Sequence, residues 1–282
     1  MNASELIERA NDLPVVPEAG LRLLQLLGNP DTSIEDIVKV VECDPVLSAK
    51  LLKACNSAEF GMRGPVASIK QAVFYLGYGR AQRLATSLSF DSALSRSMAS
   101  YELTSAEFWE HSMMTAHAAE VIADATSALD VDPSIAFTAG LLHDIGKLVV
   151  EQAVTDEETT EIRALIVAEG ISRYEAERRV LGTDHGEVGG KLLEDWNLPW
   201  HLVKAIEAHH APVFRPRPTL SAVVYLANCI AHALGDSTPE AEVEVVMDAE
   251  CAAAMGFSER QWEIVVAAIQ GRLKAARSAS SG

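Results

Sequence analysis

The residues best suited to chemistry in this 282-residue chain fall in one short stretch, Gly140-Leu141-Leu142-His143-Asp144-Ile145-Gly146-Lys147. Neighbouring positions on a helix are about 100° apart, so an adjacent histidine and aspartate can point at one metal centre. Imidazole nitrogen and carboxylate oxygen together suit Fe, Mn, Zn or Mg. Lys147 lies one turn on from both and could reach a phosphate oxygen. A blander reading stands beside this one: the same residues also fit a helix N-terminal turn followed by a solvated lysine.

The chain has eight histidines. His111 lies in Phe108-Trp109-Glu110-His111-Ser112, within an expected long helix. His185 opens a helix in Asp184-His185-Gly186-Glu187-Val188-Gly189, and His209-His210 close the helix that begins near Leu202. Each alone is equally at home as a core or surface histidine. Four of them around a His-Asp pair in an acidic chain form a pattern that points to metal binding. His117 is six residues past His111 on a different helical face, and His201 follows Pro199-Trp200 at an expected exposed helix start.

The elements that must position these groups read as helices. A Ser, Thr or Asp three residues before Glu or Gln can satisfy two backbone donors at a helix start. Such pairs occur at Thr32–Glu35, Ser68–Gln71, Thr104–Glu107, Ser172–Glu175, Asp184–Glu187 and Ser258–Gln261. Apolar residues follow at helical spacing, as in Leu23, Leu24 and Leu27, or Val46, Leu47 and Leu51. Gly28-Asn29-Pro30 and Gly170 are candidate stops. Strand-like alternation is nearly absent; residues 242–247 come closest and are too few. The expected class is all-α. A Ser-rich stretch from Phe90 to Ser105 suggests an N-terminal helical bundle over 1–95 packed on a C-terminal helical bundle over 96–282. The polar residues Thr155 to Thr160 read as an interruption of the second half. The uncharged run Pro218–Gly235 is shorter than the ~20 residues of a membrane span and reads as a buried core helix.

Composition narrows the function classes. The hydrophobic fraction is 49% and the mean hydropathy +0.11, enough for a sizeable core. The formal net charge of −17 argues against nucleic-acid partners, which need Lys and Arg to neutralise phosphates. Cys43, Cys55, Cys229 and Cys251 include no C-x-x-C pair and read as buried reduced thiols. The first residues lack the apolar core of a secretory signal. The expectation is a soluble, cytoplasmic protein without a membrane partner.

The order His111, His143-Asp144, His185-x-x-x-Gly189, His209-His210 resembles the HD superfamily, and within it the HD-GYP branch, where a carboxylate bridges two metals. The resemblance implies one metal on His111, His143, Asp144 and a late aspartate, and a second on Asp144, His185, His209 and His210. Asn228, in Val224-Tyr225-Leu226-Ala227-Asn228-Cys229, occupies the place of that late aspartate, and a neutral amide is the weaker ligand. His232 lies one turn beyond on the same face, from where it could substitute. The Gly-Tyr-Pro signature is absent: Ala211-Pro212-Val213-Phe214 follows His210 instead.

The N-terminal third decides between the branches. Leu13-Pro14-Val15-Val16-Pro17, then Asp44-Pro45 through Asn56-Ser57, then Ile69 through Gly77 closely resemble the HDOD family, an HD-related output domain of bacterial signalling proteins. The resemblance covers about Leu6 to Gly235. The same residues have a physical reading, with Asp44 as cap, Pro45 preset for a first helical turn and Asn56-Ser57 as the helix end. The resemblance implies a signalling module that has lost hydrolytic competence and works through other signalling proteins, with a nucleotide as a candidate ligand. The expected cofactor is a single divalent transition metal (Fe, Mn or Zn), with no tightly held second one. The rival reading is an active metal-dependent phosphohydrolase on a cyclic dinucleotide or other nucleotide, with Lys147 in a catalytic role. A third is a scaffold without ligand. The oligomeric state stays open.

Overall fold

A computed structural model describes residues 2–10, 33–57, 64–77, 98–125, 131–211, 219–235 and 255–280. Among these residues there is no strand, only an isolated bridge between Met98 and Leu103. The helices are α1 (Ala3–Arg9), α2 (Ile34–Glu42), α3 (Pro45–Asn56), α4 (Ile69–Leu76), α5 (Ser105–Ala125), α6 (Pro133–Leu142) and α7 (Ile145–Ala153). They continue with α8 (Asp156–Glu169), α9 (Arg173–Leu181), α10 (His185–Asp195), α11 (Trp200–Glu207), α12 (Leu220–Gly235) and α13 (Glu259–Ser280). A 3₁₀ turn, Ala99–Tyr101, precedes α5.

Most of the expected starts form. Thr104 and Glu107 bond reciprocally ahead of α5, and Ser258 and Gln261 do so ahead of α13. Ser172 with Glu175 opens α9, while Asp184 and Ser68 cap one-sidedly. Two starts differ from expectation. The box opening α2 uses Ser33 and Asp36, one residue on from Thr32–Glu35. The polar stretch at Thr155 is no interruption: Thr155 and Glu158 form a capping box, and the acids that look solvated fill the first turn of α8, where the helix dipole favours them. Gly170 ends α8 in the left-handed region at φ +63°.

The short blocks of the first half serve architecture. Asp44 Oδ1 accepts from the backbone N–H of Val46 and Leu47 at 2.8 and 3.0 Å, with Pro45 in the first turn. The Asn56 amide donates to the carbonyls of Leu52 and Val66, and its Oδ1 accepts from Val66 N–H, which ties the end of α3 to the segment leading into α4. Leu13–Pro17, Leu23–Pro30, residues 242–247, Cys251, Pro212 and the boundary near residue 95 lie outside the described residues. Of the other cysteines, Cys55 and Cys229 are buried and Cys43 is half-buried.

One hydrophobic core runs from Leu6 to Ile269. In it α5 packs on α6 and on α12, and α7 packs on α10, which packs on α11. α1 packs on α7 and α10, and α3 and α4 pack on α6. Glycines permit the tightest crossings. A Cβ on Gly146 of α7 would lie 1.8 Å from the carbonyl oxygen of His185, and one on Gly140 of α6 would lie 2.8 Å from the backbone of Ala116. The uncharged run after Pro218 is the buried helix α12. No described helix is long and apolar enough to cross a membrane.

Candidate metal centre

Five elements deliver the site. His111 comes from the second turn of α5, and His143 and Asp144 from the break between α6 and α7. The dipeptide is therefore at a chain turn, with Asp144 at the N-cap of α7, and is not within one continuous helix. The turn aims both side chains inward while Ile145 and Leu142 stay in the core. His185 is the first residue of α10, and His209 and His210 follow the end of α11. The apolar residues of α11, Leu202, Val203, Ala205 and Ile206, are buried and fix that end.

The structure brings the five expected histidines together around Asp144, which is 2% exposed. Its Oδ2 is 3.2 Å from His143 Nε2 and 3.5 Å from His111 Nε2. Its Oδ1 faces the other way, 3.4 Å from His185 Nε2 and 3.8 Å from His209 Nε2. His210 Nε2 is 2.7 Å from His185 Nε2. Two groups of donor atoms result, each within 4.8 Å: His185, His209 and His210 on one side, and His111, His143 and Asp144 on the other.

The outer nitrogens decide the tautomers. His143 Nδ1 bonds the carbonyl of Gly140 at 2.8 Å, and His209 Nδ1 bonds that of Ile206 at 2.7 Å. His185 Nδ1 lies 2.7 Å from Glu177 Oε2. Carbonyl and carboxylate oxygens only accept, so each Nδ1 carries a proton, and a ring in its neutral form turns the lone pair of Nε2 inward. Nε2 of His185 and His210 then face each other, and the buried Nε2 of His209 has no hydrogen-bond partner among the described residues. Lone pairs converging on a carboxylate fit a divalent transition metal, which takes such nitrogens and oxygens as ligands.

Burial resists the charge on Asp144, yet His143 and Lys147 beside it hold its carboxyl well below the usual range. Burial also opposes a proton on His185, but the Glu177 carboxylate outweighs it and raises that imidazole. His209 and His210 are pushed well below the ordinary imidazole range, chiefly by burial and then by their histidine neighbours. Neutral imidazole is the ligating form.

Lys147 Nζ is 3.1 Å from Asp144 Oδ2, on the side of His111 and His143. It lines a cavity of about 280 Å³ with Tyr101, Arg173, His185, His210 and Asn228. Asn228 is buried on α12, its Oδ1 without a hydrogen-bond partner among the described residues. His232 does not join either donor group; its ring lies against that of His111 with centroids 4.6 Å apart. His117 packs on Phe137, and His201 is exposed on α11.

Glu177 was not singled out from sequence. It sits in Arg173-Tyr174-Glu175-Ala176-Glu177-Arg178-Arg179, a charge run that reads as solvated, yet it is fully buried. The one signal available is the (i, i+4) pairing with Arg173.

An all-helical fold around a buried His-Asp cluster defines an HD-type domain. The chain matches the HDOD domain over residues 13–212 and belongs to that family. The MmoQ response regulator from Methylococcus capsulatus str. Bath is 27% identical, with a TM-score of 0.68 over 88% of this chain and 99% of that one. An HDOD domain protein of unknown function from Geobacter sulfurreducens is 26% identical, with a TM-score of 0.52 over 98% and 95%. An uncharacterized protein of Treponema pallidum (strain Nichols) is 29% identical over 248 residues, 86% of this chain and 46% of that protein. The chain spans less than half the length of the curated relatives it matches.

Proposed function

We propose that this chain is a signalling module that holds one divalent transition metal (Fe, Mn or Zn), in the His185/His209/His210 half, and acts through protein partners with little or no phosphodiesterase turnover. The observation that carries this reading is the charge at the other half. There Asn228 stands where the resemblance implies a carboxylate, and the Lys147 ammonium already neutralises Asp144 Oδ2 at 3.1 Å. Two dications about 4 Å apart repel by roughly 17 kcal/mol at an effective dielectric of about 20, so a second ion needs added anions. Among the described residues the buried carboxylates beside the cluster are Asp144, Glu177 and Asp184, and two of them are already paired: Arg173 faces Glu177 at 3.2 Å and Arg178 pairs with Asp184. The likeness to a response regulator supports the signalling role.

A specific observation favours a second reading, a metal-dependent phosphohydrolase. The two oxygens of Asp144 face the two donor groups, which is the arrangement of a bridging carboxylate. Two ions so bridged would supply an activated water and a clamp on the leaving oxygen. Lys147 at the cavity would then meet a phosphate oxygen.

The test is paired. Metal per chain is measured by elemental analysis for the wild type and Asn228→Asp, and both are assayed against cyclic di-GMP with Mn²⁺ and Fe²⁺ supplied. The expected result is at most one metal and negligible turnover for the wild type, and a second metal for Asn228→Asp. Efficient wild-type turnover establishes the phosphohydrolase instead, and a metal-free, non-binding wild type leaves a scaffold.

A further inference from the structure

We propose that Glu177 is a positioning residue for the metal site, acting through His185. The inference rests on the single-metal reading and deepens it. Two of the inward-facing histidines use a local partner: His143 bonds the carbonyl three residues back at Gly140, and His209 the one three residues back at Ile206. His185 is the first residue of α10, so no preceding helical turn supplies it with a carbonyl. Glu177, from the neighbouring α9, takes that place.

The two oxygens of Glu177 divide their work. Oε1 accepts from the Tyr101 hydroxyl at 2.7 Å and from Arg173 Nε at 3.2 Å. Oε2 accepts from His185 twice, from its ring Nδ1–H at 2.7 Å and its backbone N–H at 2.9 Å. One oxygen holding both the main chain and the ring of a single residue fixes the side-chain torsions between them. The ring is left with Nε2 toward Asp144 Oδ1 and His210. The ion pair with Arg173 runs from Nε to Oε1, so a core salt bridge does not explain the double grip of Oε2 on His185. A carboxylate behind an imidazole also makes it a more basic ligand than a carbonyl does. Of the three histidines in its half, His185 is therefore the strongest donor, and its orientation is set from another helix.

The experiment measures Zn²⁺ affinity of the full chain by chelator competition in the wild type, Glu177→Gln, His185→Ala and the double variant. The amide keeps the size of Glu177 and removes its charge. The expected loss in Glu177→Gln is ~10–100-fold, the usual effect of removing such a partner. In the His185→Ala background the same change should alter affinity by no more than about twofold. Wild-type affinity in Glu177→Gln, or an equal loss with and without His185, overturns the proposal and leaves the metal reading standing. Failure of the wild type to bind Zn²⁺ overturns both. A second measurement needs no change at Glu177: long-range ¹H–¹⁵N spectra of the Zn²⁺-loaded wild type, with the His185 ring assigned by its disappearance in His185→Ala. A proton on Nδ1 and metal on Nε2 are expected, and metal on Nδ1 overturns the proposal even if Glu177→Gln fails to fold.

Discussion

The two halves of the histidine cluster share Asp144 and are similar in donor count, but they are backed differently. Behind His185 stands the buried carboxylate of Glu177, itself anchored by Tyr101 and Arg173. Across Asp144, His111 is backed by the ring of His232, and the nearby α12 position carries the amide of Asn228. Lys147 adds a positive charge on that side. Donor atoms within reach of one another do not make two sites equivalent. The charge that surrounds them decides how many cations the pocket can hold, because repulsion between ions grows steeply in a buried setting.

The largest effect expected from this difference is on metal affinity. Asp144→Asn should weaken Zn²⁺ binding by at least ~100-fold, whereas His111→Ala, which touches only the far half, should stay within about threefold. Isothermal titration of both variants checks it, and equal losses would erase the distinction between the halves.

The next effect is on stability. Gly146→Ala would drive a methyl group into the His185 carbonyl, so α7 and α10 must separate, at a cost of roughly 3 kcal/mol or more. Thermal unfolding reads the loss, and metal affinity should fall with it because His185 moves. A variant of ordinary stability would mean that this crossing does not position the site.

In the first half of the chain a polar network should behave oppositely. Asn56→Ala removes the three bonds to Leu52 and Val66 and should cost about 1–3 kcal/mol in chemical denaturation, with Zn²⁺ affinity unchanged. A change in affinity would show that the architectural block reaches the metal.

The smallest effect sharpens the contrast between a buried carboxylate and a half-buried one. Glu177 is held down to about 2: burial resists, and His185, Arg173 and Tyr101 overcome it. Glu42, at the end of α2, is pushed up to about 7 by burial, with Lys70 too weak a counterweight. The unfolded Glu42 ionises first, near its ordinary value of 4.5, so the folded state loses stability as pH rises from there to about 7. Glu42→Gln should therefore stabilise the protein by on the order of 1 kcal/mol at pH 8 and leave it unchanged at pH 4. A melting-temperature gain that is the same at both pH values would remove burial of the charge as the cause.

Much of this molecule was legible from local chemistry. The pairs Thr104–Glu107, Ser172–Glu175 and Ser258–Gln261 mark helix starts because capping is decided within four residues. Asp44-Pro45 fixes its turn the same way, and the order of His111, His143-Asp144, His185 and His209-His210 marked residues that converge in the structure. Where two local solutions compete the sequence was ambiguous: Ser33–Asp36 took the start of α2 over Thr32–Glu35, and Thr155 to Thr160 proved to be a helix beginning. What only the tertiary structure decided is what depends on groups far apart in the chain. His143-Asp144 lies at a break between helices because Gly140 and Gly146 bring α6 and α7 against α5 and α10. Glu177 is buried, amid charges that look solvated, because His185, Arg173 and Tyr101 converge on it from three elements. Hydrogen-bond partners can offset the desolvation of a buried charge, and those partners are assembled only when the helices pack.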